Sequence, residues 1–268
     1  MTKKAASTLR SFWEETGGRF PDLLGAPSTA YYLECEQRLL LDCFPGLADG
    51  RLVKTDLWDE AKNTRILARL EGRGARVFGM DLSLSILRGA RTSFSGPHSR
   101  PRFIVSDLRR IGFADGSFDY LYSMGTIEHF PEYPQAVREC FRILKPGGLA
   151  VIGVPNKLDP FLRPLMVTVL NLLGLYAYGR EKSFTMAGLE RLLRGAGFRV
   201  LKRTGILFLP GWLRMAELWV HVRRPGLSFL FRPLIGLFSF LYFKFPSFRR
   251  HGYLIACLAE KPKSHPSP

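Results

Sequence analysis

Short apolar runs along this chain alternate with amphipathic stretches of helical spacing. Runs at 75–81, 103–105, 120–122 and 149–154 predict buried strands of a parallel sheet. Between residues 132 and 144 the apolar positions recur at helical spacing. This alternation of strand and helix predicts an α/β fold.

Two further segments complete the β-α pattern. Residues 84–91, directly after the first of these strands, predict a helix. Residues 145–148, Lys-Pro-Gly-Gly, predict the end of the helix over 132–144, because a basic last turn, a proline and glycines are typical of helix ends.

Acidic residues follow two of the predicted strands. Asp81 ends the strand over 75–81, and Asp107 follows the run over 103–105. An open parallel sheet binds ligands beyond the carboxyl ends of its strands, where a carboxylate can accept both hydroxyls of a ribose. Asp107 can accept a hydrogen bond from an exocyclic amine such as that of adenine. An aspartate after a strand also serves commonly as a turn or helix-capping residue, but the pair together favours an adenosine site.

Four motifs resemble those of class I S-adenosylmethionine-dependent methyltransferases, the type-11 group in particular. They are GMDLS around Asp81, SDL around Asp107, DGSFDYLYSMGTIEHF and LKPGG. The resemblance covers residues 51–156 and continues more loosely through 183–200 to 252–261. It implies a Rossmann-like, seven-stranded, mostly parallel sheet with helices on both faces.

The resemblance also implies the cofactor, S-adenosylmethionine, and residues that bind it. Asp81 and Leu82 are assigned to the ribose, and Asp107 with Leu108 to the adenine. Met124, just past the fourth strand of the family pattern, is assigned to the methionine end.

The loop after the first strand departs from the family pattern. That loop is normally acidic and glycine-rich, so that the backbone can approach the methionine part of the cofactor, but residues 52–70 contain no glycine. We consider three hypotheses: Asp56 or Glu60 binds the methionine ammonium by its side chain, the pocket holds a different ligand, or the domain is a scaffold without cofactor. In a purely structural interpretation, Asp56 caps a helix.

Glu128 and His129 occupy the position where many family members carry an acidic or histidine pair above the transferred methyl. A histidine can take a proton from a hydroxyl that is being methylated. Alternatively, His129 is an ordinary packed side chain, because positioning alone can supply much of the acceleration of an in-line displacement.

The length of 268 residues fits one α/β domain with additions. We predict an N-terminal helical segment over 1–50 and a methyltransferase-like domain over 51–268. The four cysteines show neither disulfide nor zinc-ligand spacing, so no metal site is predicted. A reducing, cytoplasmic setting is expected, because the first residues lack the apolar core of a secretion signal.

Positive charge is concentrated in the C-terminal part, where residues 161–268 carry 17 Lys and Arg against 4 Asp and Glu. Two apolar stretches, 161–179 and 227–246, lie there as helical insertions near 157–182 and 207–250. Both are interrupted before the length of a membrane span, so interfacial helices on an anionic membrane are expected. A buried lid over the active site is the alternative.

The sequence thus predicts an O- or C-methyltransferase that is peripheral to the membrane and acts on an amphiphilic or lipid-linked acceptor, such as a polyprenyl or quinone-like molecule. A catalytically silent subunit that docks on a membrane or a partner enzyme is the main alternative. A nucleic-acid methyltransferase is disfavoured, because the arginines are embedded in aliphatic runs.

Overall fold

A computed structural model describes residues 3–94 and 101–263 of the chain, with side chains described from residue 9 onward. The strands are β1 (Arg51–Lys54), β2 (Arg76–Asp81), β3 (Arg102–Val105), β4 (Phe118–Met124), β5 (Leu144–Pro155), β6 (Arg199–Ile206) and β7 (Leu254–Glu260).

Helices precede, connect and follow these strands. The α-helices are α1 (Lys3–Arg19), α2 (Pro27–Cys43), α3 (Trp58–Lys62), α4 (Ile66–Glu71), α5 (Leu84–Arg91), α6 (Tyr133–Ile143), α7 (Arg163–Leu172), α8 (Met186–Gly195), α9 (Gly211–Arg223) and α10 (Arg232–Lys244). Short 3₁₀ helices cover Ile127–His129, Pro225–Phe231 and Pro246–His251.

One sheet holds all seven strands in the order β3-β2-β1-β4-β5-β7-β6. The strands pair in parallel except β7, which runs antiparallel to β5 and β6. The strand order reverses between β1 and β4, which is where sheets of this kind bind ligands. The predicted Rossmann-like, mostly parallel sheet is therefore confirmed.

Alternating side chains of the strands enter two hydrophobic cores, one on each face of the sheet. Leu52 faces the core formed with α2, α4, α5, α9 and α10, whereas its neighbour Val53 faces the core formed with α6 and α8. Because successive side chains of a strand point to opposite faces, both faces carry helices.

The Lys-Pro-Gly-Gly segment differs from its prediction as a turn between helix and strand. Leu144 already pairs with Phe118, so β5 begins five residues before the predicted start at residue 149. The four residues 145–148 then bulge out opposite Asp119 before pairing resumes at Leu149 and Tyr120. Lys145 fixes the bulge, because its Nζ lies 2.6 Å from Asp119 Oδ1.

Helices α7, α9 and α10, with the 3₁₀ helix Pro225–Phe231, present a large apolar surface to solvent. We call it the apolar helical surface; its exposed members include Leu165, Val169, Leu172, Trp212, Trp219, Phe229, Leu230, Leu234, Leu237 and Phe240. These helices contain one acidic residue, Glu217. It is buried and accepts a hydrogen bond from Ser28 Oγ at 2.5 Å.

One segment of this surface, Pro225–Lys244, is long and apolar enough to cross a membrane, and 17% of its most apolar window is buried. The interruptions in the second apolar stretch thus do not exclude a span by length and composition alone, and the expectation of interfacial helices stays a prediction. Ile235 and Tyr242 nevertheless pack into the core, where the Tyr242 hydroxyl donates to Gly205 O at 3.1 Å.

The N-terminal segment contributes α1 and α2 and does not stand apart from the sheet. Leu40 of α2 is fully buried in the same core as Leu52. Glu14 of α1 accepts hydrogen bonds from the backbone N–H groups of Leu84 and Ser85 at the start of α5. A domain boundary at residue 51 stays a prediction.

Candidate active site

A cavity of about 330 Å³ lies beyond the carboxyl ends of β1, β2 and β4, where the strand order reverses. From the strand ends and the loops after them it is lined by Thr55, Asp56, Asp59, Asp81, Leu82, Ser106, Leu108, Met124, Gly125, Glu128 and His129. Seven of the nine predicted site residues therefore meet in one place, and Glu60 and Asp107 do not line the cavity.

Asp81 ends β2 with its carboxylate held by two backbone groups. Leu57 N–H donates to Oδ2 at 2.9 Å and Ser83 N–H donates to Oδ1 at 2.8 Å. A carboxylate has about four acceptor positions, so each oxygen keeps one for the hydroxyls of a ribose. Burial raises the pKa of Asp81 to about 7, although the two N–H groups oppose this shift.

The glycine-free loop is organised around a buried lysine at the end of β1. Lys54 is fully buried, and its Nζ lies 3.1 Å from Asp56 Oδ1 and 3.2 Å from Asp59 Oδ2. Burial disfavours the charged lysine, but the surrounding carboxylates outweigh it and raise the pKa of Lys54. The loop is thus fixed by an ionic cluster.

Asp56 reaches the cavity from this cluster. Its second oxygen, Oδ2, accepts from Thr126 Oγ1 at 2.7 Å, and Oδ1 also accepts from Trp58 N–H at 3.3 Å. The helix-capping interpretation is therefore partly met, although the N-cap position of α3 is Leu57. Asp59, one turn on, also lines the cavity, and its Oδ1 accepts from Asn63 Nδ2 at 2.8 Å.

Glu60 lies outside the cavity, contrary to the alternative in which it binds the methionine ammonium. Its side chain is fully buried, and both oxygens accept from Leu67 N–H at 3.1 Å. The one-residue offset from Asp59 turns it to another side of α3, toward α4. Asp59 therefore replaces Glu60 as the second acid that faces the cavity.

Asp107 is also placed differently from its prediction. Its Oδ2 lies 2.6 Å from Arg109 Nη2, its Oδ1 accepts from Arg109 N–H at 2.9 Å, and hydrogen bonds from Arg109 hold the pKa of Asp107 low despite its partial burial. Arg109 thus pairs with the carboxylate that the resemblance assigns to the adenine. Ser106 and Leu108, on either side, line the cavity instead.

Glu128 and His129 lie in the 3₁₀ helix after β4. Burial first, and then the charge of Glu181, raises the pKa of Glu128 well above its usual range, which favours the neutral form of this carboxyl. Its Oε2 is buried and forms no hydrogen bond with the residues that the structure describes. A carboxyl with an unused oxygen on a cavity wall is suited to contact a polar ligand.

His129 is neutral as well, because burial lowers its pKa. Its Nδ1 lies 3.4 Å from Arg180 O, and since a carbonyl only accepts, Nδ1 carries the proton. Nε2 is left as the basic nitrogen, and it lies 4.0 Å from Glu128 Oε1, beyond hydrogen-bond distance.

Four aromatic side chains also line the cavity. Trp58 of α3 packs edge to face against Trp13 at 5.9 Å, Phe20 at 4.8 Å and Tyr178 at 5.5 Å between ring centroids. We call these four residues the aromatic wall. They come from α1, the residue after it, α3 and the connection after α7, so no local motif joined them in the sequence.

A buried ion pair closes the cavity beside this wall. Arg163 Nη1 lies 2.5 Å from Glu181 Oε1, and Tyr176 OH donates to Glu181 Oε2 at 2.8 Å. The Arg163 guanidinium also lies 4.2 Å from the centre of the Tyr253 ring. This pair neutralises two charges of the cavity lining and is absent from the sequence prediction, because Arg163 and Glu181 lie in a stretch noted only for its apolar residues.

Comparison with known proteins agrees with this geometry. The family model described as methyltransferase domain matches residues 61–152. The chain is 33% identical over 170 residues to a 2-methyl-6-phytyl-1,4-hydroquinone methyltransferase of Synechocystis, covering 61% of this chain and 52% of that protein. It is 30% identical over 145 residues to a ubiquinone biosynthesis O-methyltransferase of Thiobacillus denitrificans, covering 53% of this chain and 62% of that protein. The chain thus spans about half, or somewhat more, of the length of these relatives.

A solved structure of an S-adenosylmethionine-dependent methyltransferase from Mesorhizobium loti has the same fold. Its TM-score is 0.57 at 18% sequence identity, covering 85% of this chain and 99% of that one. Residues 61–152 thus match a methyltransferase domain, and the sheet has the fold of an S-adenosylmethionine-dependent methyltransferase. The cofactor that this match implies is S-adenosylmethionine.

The raised pKa of Asp81 predicts a pH-dependent affinity for the cofactor. Ribose hydroxyls donate to the ionised carboxylate, which in the free protein forms only as the pH rises through about 7. The affinity is therefore expected to fall about tenfold from pH 8 to pH 6, as measured by calorimetric titration. Asp81→Asn should flatten this dependence, and an unchanged slope in that variant would assign it to another group.

The same shift has the opposite consequence for the empty protein. Between the usual value of 3.8 and about 7, the folded state holds a proton on Asp81 that the unfolded state has released. Because stability rises with pH only where the unfolded state binds more protons, this carboxyl lowers the free energy of unfolding as the pH rises through that window.

Proposed function

We propose that this protein transfers a methyl group from S-adenosylmethionine to the ring hydroxyl or ring carbon of an amphiphilic, quinol-type acceptor at a membrane surface. The observation that carries the proposal is the construction of the cavity. The lining combines three acids, Asp56, Asp59 and Asp81, with the aromatic wall, and α9 of the apolar helical surface adds Arg214, Met215 and Leu218.

The three acids suit the cofactor, which supplies an electrophilic methyl group on a positively charged sulfur. Asp81 retains acceptor positions for the ribose, with Leu82 beside it. Leu108 and Met124 offer apolar contacts for the adenine and the methionine end. Carboxylates near a sulfonium stabilise its charge where water is excluded.

The aromatic wall suits a flat, apolar acceptor ring. Aromatic rings pack best edge to face or offset, and the aromatic wall presents four such side chains within one cavity. His129 lies at the end of this wall, 4.9 Å from Trp13 between ring centroids. An acceptor ring with its hydroxyl beside His129 would pack against apolar side chains and have a base next to the hydroxyl.

Proton removal falls to His129 rather than Glu128. When an oxygen–carbon bond forms as the sulfur–carbon bond breaks, the hydroxyl proton has to leave, and Nε2 of the neutral His129 is the basic atom of this pair. The raised pKa of Glu128 disfavours it as the base, and its unpaired Oε2 is available to position the acceptor by a hydrogen bond.

The apolar helical surface supports delivery of the acceptor from a membrane. It combines exposed leucines, phenylalanines and tryptophans with arginines such as Arg223, whose guanidinium lies 4.5 Å from the Trp219 ring centre. Its helices contain one carboxylate, the buried Glu217. Apolar groups flanked by cations are typical of surfaces that bind anionic headgroups. The names of the two relatives, which act on a hydroquinone and in ubiquinone biosynthesis, fit an acceptor of this kind.

The apolar stretches and the helix between them contribute unequally to the cavity lining. The stretch 227–246 supplies no residue of the cavity lining, whereas α9, between the two apolar stretches, supplies three. The segments α9 and 175–178 therefore cover the cavity.

A catalytically silent subunit is the second candidate, and the pairing of Asp107 with Arg109 favours it, because the carboxylate assigned to the adenine is occupied. Calorimetric titration with S-adenosylmethionine separates the two. Micromolar binding supports the enzyme, and absence of binding in a folded sample rejects it in favour of the silent subunit.

Methyl transfer is tested with methyl-labelled S-adenosylmethionine and a polyprenyl hydroquinone in anionic liposomes. We expect label in the lipid, and we expect His129→Asn to lower kcat about 100-fold while the affinity for S-adenosylmethionine stays unchanged. A full rate in His129→Asn would show that positioning suffices. Binding of the cofactor without label in this hydroquinone would reject the quinol-type acceptor.

A further inference from the structure

Arg214 is a cation of the cavity lining with an unusual lack of ionic partners. It lies on α9, and its guanidinium is 5.1 Å from the ring centre of Tyr32 and 5.8 Å from that of Tyr253. Its side chain forms neither a salt bridge nor a hydrogen bond within residues 9–94 and 101–263. The other arginine of the lining, Arg163, is paired with Glu181.

Two acids of the same cavity lining carry the complementary imbalance. Asp56 and Asp59 share a single cation, because Lys54 Nζ lies 3.1 Å from one carboxylate and 3.2 Å from the other. One negative charge of this pair is therefore left without a counter-charge. Both carboxylates line the same cavity as Arg214.

Tyr32, which also lines the cavity, is within reach of these charges. Burial first, and then the carboxylates of Asp59, Glu36 and Asp56, raise the pKa of Tyr32, while Arg214 lowers it. Arg214, Asp56 and Asp59 therefore all act on one phenol. Burial raises the pKa of Tyr178 in the aromatic wall. The charge of Arg214 lowers this pKa, and the charge of Asp59 raises it.

A guanidinium without a salt bridge and an under-compensated pair of carboxylates in one cavity match one chemical group, the zwitterion of an α-amino acid. We propose that Arg214 binds the carboxylate and that Asp56 and Asp59 bind the ammonium of the methionine moiety. This inference rests on the proposed function, because it concerns the cofactor of that same site. Side chains of the Lys54 cluster and of α9 then do what backbone groups of a glycine-rich loop do elsewhere.

The proposal assigns α9 a second role beside its part in the apolar helical surface. Guanidinium and carboxylate form paired, charge-assisted hydrogen bonds, and those bonds are strengthened where aromatic rings such as Tyr32 and Tyr253 exclude water. Lysine cannot reproduce the two-pronged contact, so the position is expected to distinguish the two cations.

Truncated ligands test the assignment group by group. Calorimetric titrations use S-adenosylmethionine, its decarboxylated form, and 5′-methylthioadenosine, which lacks both the carboxylate and the ammonium. Arg214→Gln is expected to weaken S-adenosylmethionine about 10- to 100-fold and to leave the decarboxylated form within about twofold. Arg214→Lys should recover part of the loss.

Arg223→Gln is the matched control, because Arg223 lies on the same helix but stacks on the exposed Trp219. It should bind all three ligands as the parent does. Equal losses for both adenosylmethionine forms in Arg214→Gln, or no loss in either, would overturn the assignment of the carboxylate. Failure of the parent protein to bind any of the three would instead overturn the proposed function.

Discussion

Asp81→Asn is expected to weaken S-adenosylmethionine binding by about 2 to 4 kcal/mol, because two charge-assisted hydrogen bonds from ribose hydroxyls are lost or weakened. Asparagine keeps one acceptor oxygen, so it can still receive one of the two backbone N–H groups that Asp81 holds. The dissociation constant is measured by calorimetry, and thermal melting reports the effect on the fold.

Asp119→Asn is the matched control for this measurement. Asp119 also accepts a backbone N–H, from Arg51 at 2.9 Å, but it lies at the start of β4 and thus at the opposite end of the sheet. We expect it to melt earlier while binding the cofactor normally. If Asp81→Asn binds as tightly as the parent protein, the ribose assignment is wrong.

Replacing Leu234, Leu237 and Phe240 together by serine is expected to remove most binding to anionic liposomes. All three are exposed on α10, and full burial of each such side chain contributes about 1.5–3 kcal/mol. Arginines near the lipid add about 1 kcal/mol each. High salt should therefore remove only the second contribution, as measured by co-sedimentation at two salt concentrations.

Leu201→Ser serves as the control, because Leu201 is exposed on β6 outside these helices. Phe238 is left unchanged, since it packs against Phe161 and Phe208 in the interior. Should the parent protein stay in solution with every liposome tested, these helices would be a surface for another partner, and delivery from lipid would have to be abandoned.

The fold could be predicted from the sequence because its signals are local. Runs of apolar residues gave the strands, and the helix over 84–91 was predicted with the bounds that α5 has. The start of β5 was missed for a physical reason: Lys-Pro-Gly-Gly ends helices in most contexts, and only pairing of Leu144 with Phe118, far away in sequence, makes the residue part of the sheet.

Site residues could be predicted only where they directly follow a strand, because the sheet topology then fixes their position. Asp81 and Met124 follow strands, so topology brings them to the cavity. Glu60 and Asp107 carry the same chemistry, but Leu67 N–H and Arg109 take their carboxylates, and such pairings depend on side-chain direction. Trp13 and Phe20 had no signal, because their distance from the motifs hides the contact with Trp58.

The buried Lys54 makes the substitutions that this loop tolerates depend on one another. A glycine-rich loop is limited by shape, so each glycine is constrained separately. Here Lys54, Asp56 and Asp59 form one electrostatic unit, and losing the lysine alone would strand two carboxylates in a poorly solvated place. The three positions are therefore energetically coupled, and a change at one of them is expected to alter the effect of a change at another.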